Sequence, residues 1–139
     1  RVLLTWLAVL LVAALALAYL PWRARQARKR IREGEQSPWS GEWEVLRLDL
    51  LDRGVSTRPT DSVRTQAAAV LRQRPDADVD TLQELAHRAE AARYARPSTD
   101  AGDAAAADTL RKQLLTWLDH DESAVDRTRR RLFPASATR

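Results

Sequence analysis

The chain has 139 residues, of which 23 are basic and 19 acidic, for a formal net charge of +4. It has no cysteine, which excludes a disulfide framework, a thiol nucleophile and a Cys-based zinc site. The charge is unevenly spread: residues 1–36 carry seven basic and two acidic side chains, whereas residues 37–139 carry 16 and 17, a net of −1. The larger part therefore lacks the basic excess with which a nucleic-acid binder collects phosphates, and no nucleic-acid partner is expected.

Residues 2–20 form a 19-residue apolar run in which only Thr5 and Tyr19 carry hydroxyls. As a helix it rises about 28 Å, close to the thickness of a bilayer's hydrocarbon core. A dense basic cluster follows: Arg23, Arg25, Arg28, Lys29, Arg30 and Arg32. Basic residues accumulate on the cytoplasmic side of membrane spans. The run is read as a transmembrane helix over 1–22 of an inner (plasma) membrane, with everything after it in the cytoplasm. Ala14-Leu15-Ala16 resembles a signal-peptidase site. A signal peptide, however, has a shorter apolar region and carries its positive charges in front of it. Tyr19 and Trp22 suit the interfacial level, Pro21 is placed for a bend or stop, and the six basic residues are expected to meet anionic lipid headgroups.

A basic juxtamembrane linker is expected over 23–40, with the Gly, Ser and Pro of 33–41 breaking the pattern. The rest is expected to be all-α: a small antiparallel bundle of about four helices over 41–133, then a tail over 134–139. The first helix, about 41–53, has Trp39, Trp43, Leu46 and Leu50 on one stripe and Gly54 where a left-handed cap would fall. The second, about 60–73, opens at Pro59-Thr60-Asp61, turns Val63, Ala67, Val70 and Leu71 inward, and ends at Pro75. The third, about 81–95, has Asp80 and Gln83 at capping-box spacing and Leu82, Leu85, Ala86, Ala89 and Ala92 inside. The last begins near 103 with Ala107, Leu110, Leu114, Trp117 and Leu118. It continues in phase through Val125, Leu132 and Phe133, unless the polar run 119–123 interrupts it. Trp39, Trp43, Trp117, Tyr94 and Phe133 are expected in the core or at its rim; an exposed one would mark a partner site.

Chemistry-bearing patterns are sparse. His87, His120 and Asp121, with Asp126 behind, resemble the His, His-Asp, Asp pattern of a helical metal-dependent phosphohydrolase. Two histidines are few ligands for such a site, and polar surface positions account for them equally. Asp76, Asp78 and Asp80 alternate in a loop but lack the remaining ligands of a calcium site. No nucleophilic triad or phosphate loop stands out, so no cofactor, metal or small-molecule substrate is expected. Arg127, Arg129, Arg130 and Arg131 lie near a helix C-terminus, where cations are favourable, and form a second candidate contact for lipid or an acidic protein.

Several short motifs taken together resemble a known family. A span and basic stretch lead into a Trp-led helix ending Leu50-Leu51-Asp52-Arg53-Gly54. Then come Arg58-Pro59-Thr60, an Ala-rich helix, Ala92-Arg93-Tyr94-Ala95 and finally Leu132-Phe133-Pro134-Ala135-Ser136. This is similar to the cytoplasmic C-terminal tail of bacterial transglutaminase-like membrane proteins of the TgpA type, a domain of unknown function. The resemblance implies a multi-span region and a transglutaminase-like domain upstream of Arg1, where the Cys-His-Asp triad would lie. This segment is then a non-catalytic interaction or regulatory module with an unidentified protein partner. A related arrangement is a stand-alone single-span adaptor beside a MoxR-type ATPase. The sequence departs from the family at Thr60-Asp61-Ser62, where Thr-Pro and an acidic residue are expected, which leaves the register of the second helix open.

Overall fold

The computed structural model describes every residue except Gln36, Ser98, Thr99, Asp121 and Arg139. Among the described residues the secondary structure is helical throughout. In chain order the elements are α1 (Val2–Gly34), α2 (Pro38–Asp52), α3 (Val63–Gln73), α4 (Val79–Ala92), α5 (Ala101–Leu118), α6 (Ala124–Leu132) and a short 3-10 turn (Ala135–Thr138).

Helix α1 has 33 residues, about 50 Å of rise. Its apolar part has a mean hydropathy of 2.5 with no residue of that window buried, so it is long and apolar enough to cross a membrane. Pro21 stands inside the helix rather than at its end. The helix continues because the residues beyond, mostly Arg, Ala, Gln and Lys, are strong helix formers. They also have something to pack on: Ala24, Arg28, Ile31 and Arg32 recur at i, i+4, i+7 and i+8 and face the bundle. The segment expected as a linker over 23–40 is therefore helical to Gly34, and only residues 35–37 separate α1 from α2.

The core gathers around α2, which touches α1, α4, α5 and the 3-10 turn. Trp43, Leu46 and Leu50 of α2 meet Val70 of α3, Leu82 and Leu85 of α4 and Leu114 of α5, all with essentially no exposed surface. Burying one such Leu stabilises the fold by roughly 1.5–3 kcal/mol. The Trp43 indole donates to Gln66 Oε1 at 2.7 Å, and Gln66 Nε2 donates to the Arg58 carbonyl at 2.9 Å. That pairing satisfies a buried amide the apolar pattern does not reveal. Gly54 has φ of +80°, the left-handed conformation expected after α2.

Helix α2 starts at Pro38 rather than about 41, α4 ends at Ala92 rather than about 95 and α5 starts at Ala101 rather than about 103; three further boundaries differ because of their caps. Helix α3 starts at Val63, because Ser62, not Thr60 or Asp61, accepts from the Thr65 amide at 3.2 Å. Helix α4 starts at Val79, because Asp78 rather than Asp80 caps it, bonding both the amide and the hydroxyl of Thr81. Helix α5 ends at Leu118, and Ser123 caps α6 through the Asp126 amide, so the polar run does interrupt the last helix. Past that break the stripe loses phase: Val125, Leu132 and Phe133 are exposed, as are Trp117 and Tyr94. Trp39 and Trp43 alone of the five aromatics are core residues, and Trp39 also carries the Arg88 guanidinium 4.7 Å above its ring.

Candidate functional site: a membrane-proximal ion network and groove

Charged residues occupy places that apolar periodicity reserves for the core. Glu42 and Asp49 fall in phase with Trp39, Trp43, Leu46 and Leu50 on α2. Arg111 falls in phase with Ala107, Leu114 and Leu118 on α5, and all three are buried. Their burial is tolerable because each is paired. Arg111 donates through Nε to Glu42 Oε2 at 2.7 Å, through Nη1 to Asp49 Oδ2 at 2.7 Å and through Nη2 to Asp108 Oδ1 at 2.8 Å.

The other side of the same carboxylates is held by α1. Arg28 donates to Asp49 Oδ1 at 2.8 Å and to Asp52 Oδ2 at 2.7 Å, and Arg32 Nε donates to Glu42 Oε1 at 2.9 Å. Partner numbers fall along α2 as they rise along α1, so the two helices are antiparallel. Glu42 and Asp49 thus each bridge an arginine of α1 to Arg111 of α5. The 3-10 turn joins the network: the Ser136 amide donates to Asp52 Oδ1 at 2.8 Å, and Arg28 Nη1 reaches Ser136 Oγ at 3.3 Å.

The electrostatics follow from this geometry. Burial works against the charge of Arg28, but Asp49 and Asp52 outweigh it and raise its pKa above the ordinary arginine value. Burial likewise opposes the charge of Arg111, and Asp49, Asp108 and Glu42 raise its pKa. Burial pushes Asp108 upward, yet Lys112 and Arg111 hold it below the usual carboxylate range. Beside this lies a second cluster, in which Arg53 clasps Asp119 at 2.6 and 2.7 Å and Arg130 reaches Asp119 at 3.1 Å and Glu122 at 2.5 Å. Burial pushes Asp119 upward, and Arg53 and Arg130 overcome it, holding the carboxyl low. The buried Glu122 Oε2 has no hydrogen-bond partner among the described residues, and Arg127 Nε stands 3.9 Å from it.

Between α1 and α6 these clusters wall a groove of about 380 Å³, whose lining includes Pro21, Arg25, Arg28, Arg130, Arg131 and Pro134. The six basic residues of α1 are therefore divided. Arg23, Arg25, Lys29 and Arg30 point to solvent, Arg28 turns into the bundle, and Arg32, though still exposed, reaches back to Glu42. The α6 cluster divides in the same way: Arg127, Arg129 and Arg131 are exposed and Arg130 turns inward. Tyr19 and Trp22 are both exposed, with ring centroids 6.0 Å apart.

The histidines fall apart as a site. His87 is exposed on α4 beside a shallow α3–α4 groove, His120 is exposed in the turn after α5, and Asp121 lies outside the described residues. Among the described residues no group of three or more His, Asp or Glu is arranged to hold a metal ion. Glu42, Asp49 and Arg111 are the residues that sequence reasoning missed. The signal was present: opposite charges standing in register with two apolar stripes.

The fold defines an all-helical protein in which one helix, long and apolar enough to cross a bilayer, continues directly into a helical bundle. Comparison with protein-family models, with curated proteins and with solved structures finds no match.

Proposed function

We propose that the chain is a membrane-anchored, non-catalytic helical domain that serves as an interaction or regulatory module on the cytoplasmic side of the inner membrane. On the resemblance described above, it is the C-terminal part of a transglutaminase-like envelope protein. The observation that carries the reading is the continuity of α1: the helix leaves its apolar stretch without a break and is clamped at once by Arg28 and Arg32 to three carboxylates of α2. A flexible linker would let the bundle drift. This arrangement makes any tilt or rotation of α1 a rigid movement of the bundle, so an event across the bilayer has a mechanical route inward. The charge asymmetry around the apolar run supports the cytoplasmic placement.

The absence of cysteine from these 139 residues makes the topology of the segment itself testable. A Tyr94→Cys variant, exposed on the bundle, is expected to react with a membrane-impermeant maleimide in inverted inner-membrane vesicles and to be protected in spheroplasts. The reverse pattern overturns the cytoplasmic placement. The intact mass of the native protein from membranes tests the family reading. A mass several times 15.7 kDa is expected. A mass near that value overturns it in favour of a stand-alone adaptor.

A further inference from the structure

The groove between α1 and α6 contains more arginine than its carboxylates neutralise. Arg28 is paired with Asp49 and Asp52, Arg53 with Asp119, and Arg130 with Asp119 and Glu122. Arg25 on α1 and Arg131 on α6 line the same groove, are exposed, and have no ion pair among the described residues. Two unneutralised guanidiniums thus come from separate helices to one concave surface of about 380 Å³. Planar guanidiniums of this kind hold phosphate oxygens through paired donors.

The groove's depth identifies the anion. Pro21 follows directly on the apolar run, and Arg25 lies five residues beyond Leu20, about 7–8 Å by helical rise. The polar headgroup layer of one leaflet is itself about 5–8 Å thick. The groove mouth therefore stands at headgroup level. The residues that adjoin the lining along the chain agree: Trp22 next to Pro21, and Leu132 and Phe133 between Arg131 and Pro134, are exposed large apolar side chains. Helix α6 has the mixture expected of a segment lying in the interface plane, with Val125, Arg129 and Leu132 recurring at i, i+4 and i+7 on one exposed face.

We infer that the α1–α6 groove is a binding site for the phosphate of one anionic phospholipid headgroup, held between Arg25 and Arg131, with Leu132 and Phe133 dipping into the interface beside it. The inference rests on the reading of α1 as a membrane span and adds to it a defined lipid site. It gives the bundle a second, non-spanning hold on the bilayer, so that the domain is fixed in rotation as well as in depth.

The test uses the full chain in detergent micelles, with lipid retention read by native mass spectrometry after addition of phosphatidylglycerol or phosphatidylcholine. One phosphatidylglycerol is expected to be retained at least tenfold more strongly than phosphatidylcholine. Arg25→Gln/Arg131→Gln is expected to abolish that preference. Arg23→Gln/Arg30→Gln removes the same charge from the basic cluster outside the groove and is expected to weaken the preference no more than about twofold. All four residues are exposed, so both variants should retain their helical circular dichroism. If both variants lose the preference equally, attraction is diffuse and the groove site is overturned while the lipid-facing role of the basic cluster stands. If the unmodified chain shows no preference, both fail. If millimolar inorganic phosphate displaces the lipid as well as a phospholipid does, the groove is a general phosphate site and the lipid assignment is overturned.

Discussion

The two ends of α1 are one helix in two environments, and they read differently from sequence. Residues 2–19 lie wholly on the surface of the folded chain, and hydropathy alone marks them. Residues 21–34 are strongly polar, yet Ala24 is 3% exposed and Arg28 and Arg32 are ion-paired to the bundle. Hydropathy reports a helix's surroundings when a solvent decides them, whether lipid or water. It fails when the neighbour is itself charged, because then a buried face is written in arginine and carboxylate rather than leucine.

The hardest way to break the second environment is to unbalance its charges. Arg111→Leu leaves Glu42 and Asp49 buried without their shared cation, and is expected to destabilise the bundle by about 3–5 kcal/mol, measured by denaturant unfolding of the full chain in micelles. That figure is the penalty of buried carboxylates that keep only their α1 arginine, Arg28 or Arg32, not the net contribution of the network. A matched pair of leucines sharpens the contrast along the chain. Leu50→Ala, in the core and fully buried, should lower stability by about 2–5 kcal/mol. Leu10→Ala, in the exposed apolar stretch, should change bundle unfolding by no more than about 0.5 kcal/mol. Equal effects would mean that α1 and the bundle do not unfold as differently solvated parts.

The smallest expected effect is on acid stability. Asp108 and Asp119 have folded pKa values depressed below the ordinary carboxylate value. Their contribution is fully present above that value and is lost as pH falls through it toward the depressed ones. Unfolding followed against pH should therefore show a downturn confined to acid. Asp119→Asn should flatten it and lower stability near neutral pH, whereas an unchanged profile would place the acid sensitivity elsewhere.

What the sequence made legible divides along the same line. The apolar length of α1, the Trp39–Leu50 stripe and the Gly54 cap all depend on local pattern and are visible in it, while the polar run 119–123 marks a place where the last helix could stop without deciding that it does. The caps at Ser62 and Asp78 were misread because several capping residues crowd each start, and only the backbone path decides among them. The exposed Val125, Leu132 and Phe133 continue a local period past the point where tertiary packing stops using it, and Trp117 stands beside the buried stripe rather than on it. Arg25 and Arg131 were both legible as basic surface residues. That they line one groove was not, because it depends on Ser136 returning the chain to Asp52 and Arg28.

That return has a consequence in time. Ser136 bonds a side chain 108 residues earlier, and ribosomes add about 5–20 residues per second. The first wall of the groove is therefore made roughly 5–20 s before the second. On the membrane and lipid readings proposed above, Arg25 meets the membrane surface during synthesis with nothing opposite it. On those readings α6 and the 3-10 turn behind it arrive at a surface where a headgroup has already had seconds to settle, so their docking is assembly around an occupied position rather than closure of an empty one.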